Sequence, residues 1–260
     1  MDKILDTYKF DINSINLSNK KLNKLPDLTR FIKLKTLDCT HNQLLELNNL
    51  PNTLTYLYCS NNQLTTLNNL PNSLIALSCG NNQLTKLNNL PNSLTKLYCY
   101  HNRLTELNNL PNTLTELYCS NNQLTTLNNL PNSLTKLYCY HNKLIKLSNL
   151  PNTLTELYCC YNQLITLNNL SNSLTTLYCC YNQLTTLNNL PNTLRYLDCS
   201  NNKLLFTKLL ELKKLDNFIK KFKLNKLLKV IFLYLIKKRC LKYKEELIIK
   251  ACHPSRLYFI

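Results

Sequence analysis

Residues 54–71 read LTYLYCSNNQLTTLNNLP, and this pattern returns along the chain with a period of 20 residues. Nine copies keep register without insertion or deletion, and their first leucines are Leu34, Leu54, Leu74, Leu94, Leu114, Leu134, Leu154, Leu174 and Leu194. A weaker copy precedes them, with its apolar positions at Ile12, Ile15, Leu17 and Leu22. One short unit cannot bury its own apolar face, so such repetition indicates a solenoid of stacked units.

Each repeat is predicted to contribute one short strand. Side chains alternate between the two faces of a strand, so Leu57 and Cys59 are expected inside and Tyr58 outside. Strands of successive copies would then lie about 4.8 Å apart in a parallel sheet. The short period leaves little room for a helix on the other side, where we expect extended segments or short turns.

Asparagine is expected to make the turns, because glycine occurs only once in the chain. Asparagine tolerates left-handed dihedral angles, and its side chain can bond to nearby backbone. Asn62 and its equivalents are expected to be buried, with their amides bonded to the backbone of adjacent turns. Pro71 fixes its own dihedral angle and favours an extended conformation at Leu70.

The repeat pattern, L-x-x-L-x-C-x-x-N-x-L-x-x-L-x-x-L-P, resembles that of the leucine-rich-repeat family, whose signature is L-x-x-L-x-L-x-x-N/C-x-L. The short period and the Leu-Pro turn are similar to the repeat region of bacterial effector proteins. The Leu-Tyr-Cys strand and the Asn-, Lys- and Tyr-rich composition resemble leucine-rich-repeat proteins of giant amoeba viruses. The resemblance implies a solenoid with a curved parallel β-sheet on a concave face, where such proteins commonly bind ligands.

Three parts of the chain are distinguished by their sequences. Residues 1–33 are predicted to form an N-terminal cap with one degenerate repeat, residues 34–202 nine repeats, and residues 203–260 a basic amphipathic α-helical cap or tail. The last part holds 16 Lys and Arg against 4 Asp and Glu, whereas the whole chain has a net charge of +17. A solvated lysine face on a helical cap is favoured, and a patch for nucleic acid or anionic membrane is the alternative.

Tyrosines dominate the outward strand position and its neighbours. Tyrosine suits an interface, because its ring gives large contact area at low entropic cost and its hydroxyl can bond a partner. Cross-strand stacking that only stiffens the sheet is the alternative. The expected partner-binding residues are Tyr56, Tyr58, Tyr98, Tyr100, Tyr118, Tyr138, Tyr140, Tyr158 and Tyr178.

A row of alternating charges, Lys96, Glu116, Lys136 and Glu156, is predicted beside these tyrosines. Such a row favours a ladder of exposed opposite-charge pairs over a charge code read by a partner.

The cysteines fall into two groups. Those at the inward strand position are expected to be small buried hydrophobes, because a linear ladder does not offer the tetrahedral convergence that a metal needs. Cys160 and Cys180 follow that position, and are expected to face outward as free thiols. A reactive pair, a metal site completed by a partner, and a disulfide remain alternatives.

No catalytic constellation is apparent in the sequence: it has no Ser/His/Asp set, paired catalytic carboxylates or glycine-rich phosphate loop. Some effectors that the repeats resemble carry a ubiquitin-ligase domain with a catalytic Cys-x-Asp. Here the tail reads Cys240-Leu-Lys and Cys252-His-Pro, so that activity is not carried over.

The predicted function is therefore a non-catalytic scaffold that binds a protein on the concave face, without cofactor, metal or small-molecule substrate. Tail binding to nucleic acid or anionic membrane is the alternative, and a ubiquitin-pathway effector is less favoured. The N-terminus lacks the apolar core of a secretory signal, and the apolar run at residues 227–236 is shorter than the roughly 20 residues that span a bilayer. An intracellular location is expected, in the host cytoplasm if the protein is viral or effector-like.

Overall fold

A computed structural model describes residue 5, residues 7–187 and residues 190–204. Ten parallel strands of three residues each form a single sheet in chain order. The strands are β1 Ser14–Asn16, β2 Thr36–Asp38, β3 Tyr56–Tyr58, β4 Ala76–Ser78, β5 Lys96–Tyr98, β6 Glu116–Tyr118, β7 Lys136–Tyr138, β8 Glu156–Tyr158, β9 Thr176–Tyr178 and β10 Tyr196–Asp198.

Register along the sheet follows the sequence period. Leu57 lies opposite Leu77, and Leu97 lies opposite Leu117, so each residue faces its equivalent in the next repeat. The degenerate N-terminal copy also contributes a strand, in which Ile15 pairs with Leu37. Equivalent residues therefore line up in columns that run the length of the solenoid.

The core consists of such columns. Within one repeat, Leu54, Leu57, Cys59 and Leu64 are fully buried, whereas Tyr58 keeps 38% of its surface exposed. The predicted alternation of Leu and Cys inside with Tyr outside is confirmed. Burying one leucine contributes about 1.5–3 kcal/mol relative to leaving it exposed, so the stacked leucines are the main source of stability.

Buried asparagines connect one repeat to the next. The Asn122 side-chain oxygen accepts a hydrogen bond from the Leu104 N–H at 3.0 Å, and its amide donates to the carbonyls of Cys99 and Cys119 at 3.0 and 3.1 Å. The same arrangement recurs from Asn42 to Asn202. The prediction that these amides satisfy backbone groups of adjacent turns is confirmed.

A second set of asparagines adopts left-handed backbone angles. Each regular repeat turns twice in this way, as at Asn61 with φ 58° and Asn69 with φ 54°. Asparagine is one of the few residues that reach this region at low cost, which confirms its predicted role in place of glycine. The first of the two positions is also taken by larger residues, namely His41, His101, His141, Tyr161 and Tyr181.

The segments that connect the strands are extended or form short turns, as expected, and residues 7–187 and 190–204 contain no helix. In this described part of the chain, no helix is long and apolar enough to cross a membrane. The α-helical tail predicted from residue 203 onward lies outside the described residues, apart from residues 203 and 204. It stays a prediction, as do the domain boundaries.

Candidate functional site

Five tyrosines form one continuous stack on the outer side of the sheet. Successive ring centroids are 4.7, 4.3, 4.2 and 4.8 Å apart, and the ring planes of successive residues lie within 27° of parallel. The in-phase register makes this stack, because it sets equivalent side chains at the strand spacing. Neighbouring rings cover the stacked ring faces, and all five side chains remain partly exposed to solvent. We call this stack the tyrosine column: Tyr98, Tyr118, Tyr138, Tyr158 and Tyr178.

The predicted ladder of alternating charges lies beside the tyrosine column as two ion pairs. Lys96 bonds Glu116 at 3.1 Å, and Lys136 bonds Glu156 at 3.3 Å. All four side chains keep some exposure to solvent, so each pair contributes at most about 1 kcal/mol.

The two glutamates also fix tyrosine hydroxyls, which the charge pattern alone did not predict. Tyr98 donates a hydrogen bond to Glu116 at 3.2 Å, and Tyr138 donates one to Glu156 at 2.6 Å. Burial, followed by the nearby Glu116 carboxylate, raises the pKa of Tyr98 to about 12. Burial and Glu156 raise the pKa of Tyr138 as well. These hydroxyls therefore remain protonated hydrogen-bond donors at neutral pH.

The other four predicted tyrosines lie outside the column. Tyr56 and Tyr58 are on β3 and are 39% and 38% exposed. They are separated from Tyr98 by the repeat of β4, which has Ser78 at the outward position. We call the outward residues of β3 to β9 the tyrosine face.

Tyr100 and Tyr140 come two residues after the outward tyrosines of β5 and β7. The Tyr100 ring lies flat against the preceding repeat, where a Cβ added to Gly80 would come within 2.6 Å of it. A side chain at position 80 would therefore meet the Tyr100 ring. The rings of Tyr100 and Tyr140 meet the following histidines, His101 and His141, edge to face at 5.9 and 5.8 Å.

A second aromatic column was not predicted. His141 stacks on Tyr161 with centroids 4.1 Å apart, and Tyr161 stacks on Tyr181 at 4.3 Å. These three residues occupy the same position in successive repeats, and all three have left-handed backbone angles. Their shared repeat position was the signal in the sequence that could have revealed the column.

Between the two columns lies a groove of about 260 Å³. Both columns contribute to its walls, and its deepest residues are Cys160 and Cys180, which are each 8% exposed. Its lining is Tyr140, His141, Tyr158, Cys160, Tyr161, Tyr178 and Cys180.

Cys160 and Cys180 are joined by a disulfide, so the expectation of two outward-facing free thiols is wrong. The alternation of the strand ends at Tyr158 and Tyr178, after which the chain turns inward and carries both cysteines below the surface. The parallel register then brings their Cα atoms to 4.6 Å, within the range that a disulfide bridges. The Cys180 N–H also donates a hydrogen bond to the Cys160 Sγ at 3.1 Å.

The inward cysteines are free thiols in the core, as expected. Burial raises the pKa of Cys79 and of Cys119 to about 12, so neither thiol is ionised near neutral pH. Among the described residues, no three His, Cys, Asp or Glu side chains are grouped so that they could hold a metal ion.

No family model and no curated protein matches this sequence. Solved structures do match. YopM from Yersinia enterocolitica WA-314 is 31% identical with a TM-score of 0.66, over 75% of this chain and 50% of that chain. YopM from Yersinia pestis, described as a leucine-rich effector protein, is 33% identical with a TM-score of 0.63, over 74% of this chain and 67% of that chain.

A third match is the functional domain of InlJ from Listeria monocytogenes, which is described as including a cysteine ladder. It is 28% identical with a TM-score of 0.57, over 75% of this chain and 54% of that chain. The present chain thus spans about half the length of InlJ and of the Yersinia enterocolitica YopM.

Proposed function

The chain belongs to the leucine-rich-repeat family, and from this premise we propose that it is a non-catalytic scaffold that holds a protein partner on its tyrosine face. Members of the family typically serve as protein-interaction scaffolds, effectors included. The observation that carries the proposal is the tyrosine column, five stacked rings that remain partly exposed to solvent.

Rigidity favours the tyrosine column as a contact surface. A side chain that is mobile before binding loses rotamer freedom when a partner immobilises it, at a cost of about 0.5–1.5 kcal/mol. Stacking holds Tyr118 and Tyr158 between neighbouring rings, and hydrogen bonds to Glu116 and Glu156 hold Tyr98 and Tyr138. Much of that entropy is therefore lost on folding rather than on binding.

Charge on the tyrosine face favours a polar and aromatic contact over an electrostatic one. In the Lys96–Glu116 and Lys136–Glu156 pairs, the positive charge on one strand is neutralised by the negative charge on the next strand. Hydroxyls and ring edges remain as the main groups for a partner, and both suit backbone carbonyls and apolar side chains. A partner held in this way should bind with little dependence on salt.

Repetition supports the non-catalytic part of the proposal. An active site needs several unlike groups held together at one place. Here the surroundings along the tyrosine column alternate with the Lys and Glu residues beside it, so the same few groups recur and few residues are unique to one place. The family is also generally non-catalytic.

Photo-crosslinking in the native cell tests the surface. A photoreactive phenylalanine analogue replaces Tyr118 in one variant and Thr126, an exposed residue of the connector between β6 and β7, in the other. We expect a specific crosslinked protein from position 118 and none from position 126. Crosslinking of the same protein from position 126 alone would place the partner on another surface.

Matched substitutions distinguish the contribution of the tyrosine ring to binding from that of the hydroxyl. Serine already occupies the outward position of β4 at Ser78, so changing Tyr118, Tyr138 and Tyr158 to serine keeps a residue that the sheet accepts. We expect capture of the crosslinked partner to be lost in the serine variant and reduced in the corresponding phenylalanine variant. Unchanged capture by a folded serine variant would exclude the tyrosine column as the contact.

A second candidate function rests on the charge of residues 203–260, where basic residues exceed acidic ones by 12. Such a segment would bind nucleic acid or anionic lipid through its phosphates. This function predicts binding that weakens steeply with salt and is lost when residues 203–260 are deleted. Binding that survives both changes would argue against it.

A further inference from the structure

We propose that the Cys160–Cys180 pair is a thiol–disulfide exchange site, which low-molecular-weight thiols of the glutathione class open reversibly through the groove between the two aromatic columns. The proposal goes beyond partner binding, since it assigns a covalent modification to one pair of side chains. It rests on three features of these residues: their juxtaposition, the groove above them and a hydrogen bond at one sulfur.

The pair differs from the other described cysteines. Cys39 to Cys179 at the inward position are buried in the leucine core as free thiols. Cys160 and Cys180 instead lie directly opposite each other on the next position of adjacent repeats, bonded through their sulfurs. Other repeats have small or aromatic residues there, such as Ser120 and Tyr140, so only these two repeats have cysteine at this position.

Access comes from the groove. Both cysteines line it, and its volume of about 260 Å³ exceeds several times the roughly 30 Å³ that one water occupies in the liquid. Because the groove is open to solvent and both cysteines line it, a small thiol can approach the two sulfurs from this side.

The hydrogen bond makes the two sulfurs unequal. The Cys180 N–H donates to the Cys160 Sγ, and this contact favours the charged form of that sulfur. A lower-pKa thiolate leaves faster in disulfide exchange. We therefore assign Cys160 as the leaving sulfur and Cys180 as the sulfur that is attacked.

Two small thiols reduce the Cys160–Cys180 disulfide in two steps. A small thiolate attacks the Cys180 Sγ, the Sγ–Sγ bond breaks, and its electron pair leaves on Cys160. A second small thiolate then attacks the sulfur of the first small thiol in the mixed disulfide. This step frees Cys180 as a thiolate and releases a small-molecule disulfide. The two Cys thiolates take up two protons from solvent, so two small thiols have supplied two electrons. Oxidation by the small-molecule disulfide reverses each step.

Differential alkylation of the folded, full-length protein tests the site. The protein is incubated in buffers of defined reduced-to-oxidised glutathione ratio, quenched with a rapid alkylating agent, and mapped by peptide mass. We expect labelling of Cys160 and Cys180 to rise together as the buffer becomes more reducing, and to reach the same value from reduced and from oxidised starting protein. The fully buried cysteines of the inward position, Cys39 to Cys179, should label only after denaturation.

A short exposure to reduced glutathione tests the direction of attack. The trapped intermediate should carry glutathione on Cys180 and the alkyl label on Cys160, with a preference of roughly tenfold. Cys160→Ser and Cys180→Ser serve as matched variants, because Ser60, Ser120 and Ser200 occupy the same repeat position. Cys160→Ser should retain a stable glutathione adduct on Cys180.

Three results would overturn the proposal. Full labelling of the pair in oxidising buffer would mean that no cross-link forms in solution. Absence of labelling in the folded protein under reducing buffer would mean that thiols do not reach it. Equal distribution of glutathione over the two sulfurs would contradict the assigned roles. None of these results bears on partner capture by the tyrosine column, so the two proposals are tested separately.

Discussion

Two neighbouring asparagines perform different tasks in each regular repeat. Asn121 adopts a left-handed backbone angle with φ 55°, and its contribution is conformational. Asn122, the next residue, is buried and contributes hydrogen bonds to the backbone on both sides of it. One residue type therefore serves both as the substitute for glycine and as the connection between repeats.

Changing Asn122 to alanine should lower the free energy of unfolding by about 3 kcal/mol. The substitution leaves the Leu104 N–H and the Cys99 and Cys119 carbonyls buried without this partner. Chemical denaturation monitored by circular dichroism measures the loss. Asn128→Ala, at an exposed position of the same repeat, is the control and should change stability little. Equal losses in both variants would contradict the assigned role of Asn122.

Substitutions at Asn121 should follow backbone preference rather than side-chain size. Alanine there should cost about 1–2 kcal/mol, since a Cβ without a compensating side chain disfavours the left-handed region. Glycine should cost much less, because it reaches that region freely. The same denaturation measurement on Asn121→Ala and Asn121→Gly gives the comparison. A more stable alanine variant would show that the side chain, not the backbone angle, determines the choice of asparagine.

At the scale of the strand, three residues are enough to form a stable element because equivalent residues of successive strands lie opposite each other. Tyr98 on β5 pairs with Tyr118 on β6, and the same register carries Glu116 next to the Tyr98 hydroxyl. Isolated strands of this length would be unstable, but here each strand from β2 to β9 is flanked by two others that present equivalent residues.

This arrangement predicts how Tyr98 responds to pH. Its pKa is raised in the folded state, so the folded protein holds that proton to higher pH than the unfolded chain does. The corresponding stability is complete below pH 10 and is lost as the pH rises from about 10 toward 12. Changing Glu116 to glutamine removes a negative charge that raises the pKa of both Tyr98 and Tyr118, so the ionisation of these two tyrosines should move to lower pH in an absorbance titration.

Glu106→Gln is the matched control for that titration. Glu106 pairs with Lys86 and accepts a hydrogen bond from Asn108, and neither contact involves the tyrosine column. The control should leave the titration of the tyrosines unchanged. If both variants shift it equally, the effect is a general loss of negative charge rather than the contact between Glu116 and Tyr98.

The sequence was informative wherever a residue's role follows from its place in the period. Leu57 and Cys59 inside, Tyr58 outside and Asn62 in the turn could all be predicted, because strand alternation and hydrogen-bonding capacity are local properties. The family resemblance to bacterial effectors agrees with the matched structures, whereas the resemblance to giant amoeba virus proteins stays a prediction.

Features that depend on the path of the chain after the strand were not predicted. The alternation of inward and outward side chains along the strand predicted that Cys160 faces outward. The chain already turns inward at this residue, so the alternation no longer applies there. The left-handed angle at Tyr161 was also unexpected, since a bulky residue seldom adopts it, and the second aromatic column depends on that angle. Binding of a partner on the tyrosine face stays a prediction, which the serine variants at Tyr118, Tyr138 and Tyr158 test.

At the scale of the whole molecule, stability is transmitted from neighbour to neighbour. Each strand pairs with the strands before and after it, so a perturbation in one repeat acts first on the adjacent ones. The Cys160–Cys180 disulfide is the one described covalent link across such a junction, between the repeats of β8 and β9. Its two cysteines are 20 residues apart.

Removing this link should have a local effect. In the Cys160→Ser/Cys180→Ser double variant, we expect a loss of about 3 kcal/mol, from the entropy of closing a loop of this length. Hydrogen exchange should accelerate at the amides of β8 and β9 and remain unchanged at β2 and β3. Comparison with wild type under oxidising and reducing conditions is the control, since reduced wild type should resemble the variant. Uniform acceleration over all ten strands would contradict transmission between neighbours.

The constant period also determines how this solenoid can change length. Every junction from β3 to β9 joins surfaces of the same shape and register, so removing any 20 consecutive residues between them brings together two surfaces that already fit. Leucine and asparagine columns would close across the gap, and the tyrosine column would shorten by one ring at most. Gain or loss of a 20-residue unit can therefore vary the length of the molecule in whole repeats while its architecture is preserved.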